Sequence, residues 1–180
     1  IILLWDPDPA MDAGEYTVTV AGDGNNLQGT KTGVPFTIQK RDLRDCQIVL
    51  SPSEATYNGS VQKPDVSLMM GDIAILPEAG EYQVQWGTGD YRSFGNYTIT
   101  LLGNDHNLTQ SDSAFYTIGK ANLNDYEVLV TSQQPLVYDA KAKKPTVEVV
   151  HKGNSGLTIS EADYEIEWDA PESTDAGTYG

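Results

Sequence analysis

The residues best suited to bind a ligand are four side chains in one short loop, Asp90, Tyr91, Arg92 and Phe94. Aromatic side chains and arginine are enriched at the centres of binding interfaces. The loops at equivalent places elsewhere in the chain lack this mixture. Two interpretations remain open: an ordinary connecting loop, and a recognition loop for another protein or a glycan.

The other reactive residue types do not form a pattern that catalysis or a transition metal needs. His106 and His151 lie in different parts of the chain, and neither has a His or Cys neighbour at metal-ligand spacing. Cys46 is the only cysteine, which excludes an intrachain disulfide, and its alternating surroundings suit a small buried residue. We therefore predict no catalytic residue, no metal-ligating cluster and no enzyme.

Calcium is the one cofactor that the sequence leaves open, although we expect none to be required. Two groups of side chains offer the hard oxygen ligands that calcium takes. These groups are Asp6, Asp8 and Asp12, and Asp23, Asn25 and Asn26. Neither group follows the spacing of an EF-hand loop.

The composition limits the class of protein and its partners. The 180 residues include 11 basic and 26 acidic side chains, for a formal net charge of −15. This balance opposes binding to nucleic acid, which needs clustered Lys and Arg, and no apolar stretch is long enough for membrane insertion. Short apolar runs separated by 17 Gly and 9 Pro residues predict an all-β fold.

A Gly-x-Tyr motif in front of an alternating stretch occurs three times, at an even spacing of about 80 residues. The three pairs are Gly14 and Tyr16, Gly95 and Tyr97, and Gly177 and Tyr179. In a tyrosine corner the glycine allows a sharp turn, the ring enters the core and the hydroxyl bonds to nearby backbone. We interpret these six residues as structural.

The spacing of these motifs predicts tandem β-sandwich repeats of about 80 residues. Residues 1–40, the first segment, would form the C-terminal half of one repeat. Residues 41–120, the middle segment, would form a complete repeat, and residues 121–180, the third segment, the N-terminal part of another. Because the pattern is interrupted at both ends of the sequence, we expect it to be a piece of a longer chain.

The aromatic residues of the alternating stretches are predicted to serve the interior of each sandwich. Trp5, Trp86 and Trp168 occupy one position of the repeat. The clearest alternation, from Glu81 to Trp86, is predicted to be a strand, and the similar stretch from Asp163 to Trp168 is predicted to be its counterpart. No helical periodicity is present, apart from room for one short turn at residues 160–163.

The order of the motifs in the third segment resembles the bacterial immunoglobulin-like surface repeats of the MBG and Big types. The resemblance rests on Tyr138-Asp139-Ala140-Lys141, Lys144-Pro145-Thr146-Val147, Asp163-Tyr164-Glu165-Ile166 and Asp175-Ala176-Gly177-Thr178-Tyr179. It implies tandem immunoglobulin-like sandwiches in large secreted or wall-attached bacterial proteins. It brings no catalytic or ligand-binding residues with it.

These features together predict a role and a set of partners. The resemblance implies an extracellular, non-catalytic spacer repeat of a bacterial surface protein or adhesin, whose partners are neighbouring repeats of the same chain. The alternative is direct binding of a host protein, such as an immunoglobulin, or of a glycan through loops at the ends of the sandwich.

Overall fold

The computed structural model describes residues 2–6, 11–132, 136–168 and 177, and their regular structure is almost entirely β-strand. Helical structure in this part of the chain is limited to 3-10 turns of three residues each: Leu43–Asp45, Pro77–Ala79, Leu123–Asp125 and Glu161–Asp163. The all-β prediction is confirmed, as is the short turn expected near residue 160.

The strands follow one another along the described part of the chain with short connections. Their bounds are β1 Ile2–Asp6, β2 Gly14–Ala21, β3 Thr30–Ile38, β4 Arg41–Asp42, β5 Gln47–Ser51, β6 Glu54–Thr56, β7 Asp65–Met70, β8 Ile73–Ile75, β9 Tyr82–Trp86, β10 Gly95–Gly103, β11 Leu108–Thr109, β12 Ser111–Gly119, β13 Tyr126–Thr131, β14 Thr146–His151 and β15 Asn154–Thr158.

The chain divides into two compact units, each assembled from separate stretches of sequence. Unit 1 comprises Ile1–Ser53, Pro64–Gly89 and Asn96–Tyr116. Unit 2 comprises Glu54–Lys63, Asp90–Gly95 and Thr117–Gly180. The three predicted segments, 1–40, 41–120 and 121–180, stay a prediction.

Unit 1 contains small antiparallel sheets built from the alternating stretches. β2 lies between β1 and β3, β7 lies between β5 and β8, and β10 pairs with β9. The β1–β2 and β9–β10 ladders have the same register, one predicted repeat length apart. Trp5 pairs with Val18 in one ladder, and Trp86 pairs with Ile99 in the other.

The core of unit 1 lies on the inward faces of these strands. Leu68, Ile99 and Leu101 are fully buried, each burial contributing about 1.5–3 kcal/mol relative to exposure. Tyr82 is also buried, and its hydroxyl donates to the carbonyl oxygen of Ile75 at 2.9 Å. The interior therefore accepts a tyrosine ring because its polar end is hydrogen-bonded.

Unit 2 contains the antiparallel sheet β13–β14–β15, and β6 pairs in parallel with the end of β12 at Thr117–Gly119. Val149 and Val150 on β14 are buried, as is Tyr126 at the start of β13. The apolar side chains that follow on β13, Val128, Leu129 and Val130, are exposed.

The β5–β7 and β13–β14 ladders also correspond in register. Ile48 pairs with Leu68, and Val128 pairs with Val149, so the two ladders match with at most one residue of difference between their strands. A 3-10 turn precedes each ladder. The residue before each turn caps it, because its side chain accepts a hydrogen bond from a backbone N–H group of the turn. Asp42 accepts from the Arg44 N–H at 3.0 Å, and Asn122 accepts from the Asn124 N–H at 3.0 Å.

The turns that follow β2 and β10 are built in the same way. The Gly22 N–H donates to the Gly29 carbonyl at 2.8 Å, and the Gly103 N–H donates to the Gln110 carbonyl at 2.9 Å. A methyl group on either glycine would lie 2.7 Å from a backbone carbonyl carbon, that of Leu27 or Leu108, and closer still to its oxygen. Both positions therefore need glycine for the close approach of two backbone segments.

Two expectations about the alternating stretches are wrong. Trp86 is 37% exposed, because it is the last residue of an outer strand whose first residue, Tyr82, is the buried one. Residues 164–168 do not form a strand.

Candidate functional site

Unit 2 contains a cavity of about 480 Å³. Four aromatic side chains and three charged side chains contribute to its lining. They are Tyr57, Phe94, Tyr126 and Tyr164, and Lys120, Asp163 and Glu165. Pockets that bind small molecules combine apolar walls of this kind with a few polar groups.

One wall of the cavity is held in place by backbone bonds around Tyr57. The Tyr57 N–H donates to the Gly119 carbonyl at 2.8 Å, which continues the pairing of β6 with β12. The Tyr126 hydroxyl donates to the Tyr57 carbonyl at 3.3 Å. Tyr126 also packs edge-to-face on His151 at 5.3 Å between ring centroids, so its position is fixed from two sides.

A short hydrogen bond in the cavity joins Tyr57 to Asp163. The Tyr57 hydroxyl donates to Asp163 Oδ2 at 2.5 Å. This bond to a carboxylate, together with desolvation, raises the pKa of Tyr57 to about 12. Asp163 ends the 3-10 turn Glu161–Asp163, whose first turn is capped by the Ser160 hydroxyl accepting from Ala162 N–H at 3.4 Å.

The open side of the cavity carries a cation and an exposed ring. The Lys120 ammonium lies 5.1 Å from the centroid of the Phe94 ring, within cation–π distance. Phe94 is exposed, while the Tyr164 hydroxyl donates to the Val147 carbonyl at 3.3 Å. A ligand that entered here would meet the Phe94 ring and the acidic side chains of Asp163 and Glu165.

The four residues of the predicted recognition loop have different surroundings. The Asp90 carboxylate accepts from the N–H groups of Arg92 and Ser93 at 2.9 and 3.0 Å, so it shapes the loop. Tyr91 has a positive φ of 52° and is 1% exposed, which turns its ring away from solvent. Its buried ring therefore supports the loop, and the predicted binding role of Tyr91 stays a prediction like those of the other three residues.

The other two loop residues remain accessible. Arg92 Nε donates to the Gly59 carbonyl at 2.5 Å, which ties the loop to the neighbouring turn, yet the residue is exposed. Among the four predicted residues, Phe94 is the one that lines the cavity. The binding role of Asp90, Arg92 and Phe94 stays a prediction.

The first Gly-x-Tyr motif has the geometry of a tyrosine corner. The Tyr16 hydroxyl donates to the Asp12 carbonyl, four residues upstream, at 2.9 Å, and the ring stacks on Phe36 at 5.5 Å between centroids. Gly14 makes room for this ring, since a methyl group there would lie 3.3 Å from the Tyr16 hydroxyl oxygen.

In the second motif Gly95 begins β10 and Tyr97 is buried. A methyl group on Gly89 would lie 2.6 Å from the Tyr97 ring, so this ring occupies space that only glycine leaves open. In the third motif Gly177 is an exposed bend, and Tyr179 lies outside the described residues.

The residues considered for calcium are not arranged as a ligand set in the part of the chain that is described. Asp23 Oδ1 accepts from the N–H groups of Asn25 and Asn26 at 3.0 and 3.3 Å, which lowers the pKa of Asp23. Asp8 lies outside the described residues. Across the described ranges, no group of three or more His, Cys, Asp or Glu side chains could hold a metal ion.

Cys46 does not have the surroundings of a reactive thiol. It is half-buried, and desolvation raises its pKa, which disfavours the nucleophilic thiolate.

The cavity itself was not predicted from the sequence. Its key contact joins Tyr57 and Asp163, which are 106 residues apart. The one signal in the sequence was that Tyr57 comes directly before a turn, a pattern that is found again at Tyr138.

The described residues define an all-β protein of several small sheets with an aromatic cavity. No helix among them is long and apolar enough to cross a bilayer. Comparison of the chain with models of known families, with curated proteins and with solved structures finds no match.

Proposed function

We propose that the chain is a run of tandem immunoglobulin-like sandwich repeats, which acts as a non-catalytic extracellular spacer in a bacterial surface protein. Each repeat spans about 80 residues. The middle segment is the complete repeat, and the first and third segments are parts of its neighbours. In an array of this kind, stability is close to a sum of repeat and interface terms, which suits an extended spacer.

The observation that carries this proposal is the recurrence of one backbone plan at a separation of about 80 residues. The ladders β1–β2 and β9–β10 correspond pair by pair, as do β5–β7 and β13–β14. The turns at Gly22 and Gly103 have equivalent backbone hydrogen bonds. In both turns a backbone carbonyl group lies close to the glycine Cα, where a side chain would otherwise be. A duplicated β unit accounts for these matches together.

Contacts between the first and middle segments also support a tandem arrangement with limited bending. The side chain of Asn107 accepts from the Ala13 N–H at 2.7 Å and donates to Asp12 Oδ1 at 2.9 Å. Both bonds lie within unit 1. A junction held by paired hydrogen bonds transmits orientation from one repeat to the next.

Single-molecule stretching of the chain tests the repeat organisation. Unfolding of one sandwich of about 80 residues should release about 260–290 Å of chain in one event, at roughly 3.3–3.6 Å per residue. A single event that releases the whole chain, on the order of 600 Å, would contradict the proposal. Labelling of intact source cells by an antibody to the chain tests the extracellular location.

The cavity in unit 2 favours a second candidate function, glycan binding. Exposed aromatic rings can pack on the apolar faces of sugar rings, and the carboxylates of Asp163 and Glu165 can accept hydrogen bonds from hydroxyl groups. Phe94 would be the accessible stacking ring, with Lys120 beside it.

Titration with cello-, xylo- and chito-oligosaccharides, followed by NMR, tests this second function. Saturable shifts should appear for residues around the cavity and be lost in Phe94→Ala. Phe115→Ala is the matched control, because Phe115 is also an exposed phenylalanine and does not line the cavity. Shifts that persist in Phe94→Ala would count against this site.

A further inference from the structure

The tyrosines among the described residues of the cavity wall donate their hydroxyl protons within the protein. Tyr57 donates to Asp163 Oδ2, and Tyr126 donates to the Tyr57 carbonyl oxygen. Tyr164 donates to the Val147 carbonyl oxygen. Because a tyrosine hydroxyl has one proton to donate, these side chains offer a ligand their rings and no hydrogen-bond donor.

Two carboxylates line the same cavity without a cationic partner. Asp163 and Glu165 are both exposed. Among the described residues, no Lys or Arg forms an ion pair with either of them. An ionised carboxylate only accepts hydrogen bonds, and it has about four lone-pair sites for them. Tyr57 occupies one site on Asp163, so most of the acceptor capacity of this wall is left for a ligand.

A wall rich in acceptors distinguishes between the polar groups that a sugar can carry. A hydroxyl group has one proton to donate and two lone pairs that need donors of their own. An ammonium group has three protons to donate and no lone pair. Its hydrogen bonds to a carboxylate are also shorter and stronger than those between neutral groups. The wall formed by Asp163 and Glu165 therefore suits an ammonium group better than a hydroxyl group.

The charges of the cavity wall favour a cation as a whole. Lys120 is the one cationic side chain among the described lining residues, against two carboxylates, which leaves a net charge of −1. Its ammonium lies 5.1 Å from the centroid of the exposed Phe94 ring and forms no ion pair with a described carboxylate. The same contact shows that the face of the Phe94 ring is accessible to a cation.

The charge of the entire chain acts in the same direction. With 11 basic and 26 acidic side chains, the formal net charge is −15. A field of this sign raises the local concentration of cations and lowers that of anions. Polysaccharides rich in carboxylate or sulfate groups are therefore disfavoured as ligands, and polysaccharides rich in free amino groups are favoured.

We propose that the cavity binds a glycan of amino sugars whose amino groups are free, such as β-1,4-linked glucosamine. One sugar ring packs on Phe94, and an ammonium group of the glycan donates hydrogen bonds to Asp163 and Glu165. The inference rests on the second candidate function, glycan binding at this cavity, and it names the class of glycan. It does not depend on the repeat organisation.

NMR titration with three β-1,4-linked tetrasaccharides tests the inference. The second carbon of each sugar carries a hydroxyl group in cellotetraose, an acetamido group in the chitin tetramer and an ammonium group in the glucosamine tetramer. At about 50 mM salt, the glucosamine tetramer should bind about three- to tenfold more tightly than cellotetraose, within the range for two exposed ion pairs. At about 1 M salt, where the Debye length is about 3 Å, this preference should be largely lost.

Three variants locate the source of the preference. Glu165→Gln removes one carboxylate from the cavity and should lower the preference by about twofold or more, with cellotetraose binding unchanged. Glu167→Gln is the matched control, because it removes the same charge from an exposed glutamate that does not line the cavity. It should leave the preference unchanged. Lys120→Gln should raise the preference, because it removes the cation of the cavity wall.

The outcomes separate this inference from glycan binding itself. Equal affinities for the glucosamine tetramer and cellotetraose, with shifts around the cavity, would overturn the inference and leave glycan binding in place. Full preference in Glu165→Gln would also overturn it, as would an equal loss of preference in Glu167→Gln, which would indicate attraction by the net charge alone. If none of the three tetrasaccharides binds, both the inference and the second candidate function are wrong.

Discussion

Replacing Gly103 by alanine is the sharpest test of the turn that follows β10. The added methyl group would lie 2.7 Å from the Leu108 carbonyl carbon and closer still to its oxygen, whereas real Cβ atoms stay beyond 3.0 Å. The backbone at Leu108 must therefore move by several tenths of an ångström. This movement strains two bonds, Gly103 N–H to Gln110 and Asp105 N–H to Leu108, both 2.9 Å long.

The expected loss of stability of Gly103→Ala follows from the displacement of the Leu108 backbone. Each weakened hydrogen bond costs about 0.5–1.5 kcal/mol, and Leu108 is buried, so its displacement opens space in the core. Alanine recovers about 0.5–1 kcal/mol through its lower conformational entropy in the unfolded chain. We expect Gly103→Ala to lower the free energy of unfolding by about 2–4 kcal/mol.

Gly22→Ala is the matched comparison, because it introduces the same close approach in the equivalent turn. The residue that must move there is Leu27, which is exposed, so water can replace the strained bonds. We expect a loss below about 1 kcal/mol.

Urea unfolding followed by circular dichroism measures both variants, and constant m-values would show that the unfolding transition is the same. Gly119→Ala is the control without a clash, because the nearest atom to its added methyl group, the Ala55 oxygen, is 3.7 Å away. Equal losses for Gly103→Ala and Gly22→Ala, or a loss below about 1 kcal/mol for Gly103→Ala, would refute the reasoning.

The remaining predictions concern single side chains and bound calcium. Leu43→Ala should lower the free energy of unfolding by about 2–5 kcal/mol and Leu123→Ala by less than about 0.5 kcal/mol, and similar losses in urea would contradict the burial contrast. Tyr57→Phe should cost about 1 kcal/mol, because its bond to Asp163 is exposed to solvent. The raised pKa of Tyr57 makes this difference fully present below pH 10 and lost as the pH rises to about 12, and a difference that is constant across that range would argue against the bond. Excess chelator should leave the melting temperature unchanged, since Asp23 is engaged by backbone N–H groups, and a lower melting temperature would revive the calcium alternative.

Strand formation could be predicted from the sequence because it depends on local pattern. The alternation at Tyr82–Trp86 and the stretch from Gly95 onward became β9 and β10 as expected.

Contacts between distant residues could not be predicted in the same way. The cavity depends on the bond between Tyr57 and Asp163, and no local pattern relates two residues that are 106 positions apart. The Tyr91 ring points inward because the backbone of Tyr91 has a positive φ. A positive φ is uncommon for residues other than glycine, so the sequence did not predict it. The mixture of aromatic residues and arginine predicted a recognition surface. In the structure the Tyr91 ring is buried and the Phe94 ring is exposed.

Burial differs between strands of equal pattern because it depends on a second surface. β5 and β13 follow the same kind of 3-10 turn and pair with their neighbours in matching register, yet the side chains of Val128 and Val130 are exposed while those of Ile48 and Leu50 are not. Hydrogen bonds along a ladder are satisfied within one sheet, so the strand can form without a covering layer. The apolar side chains still need that layer, so the alternation of β13 could not by itself predict whether these side chains are buried.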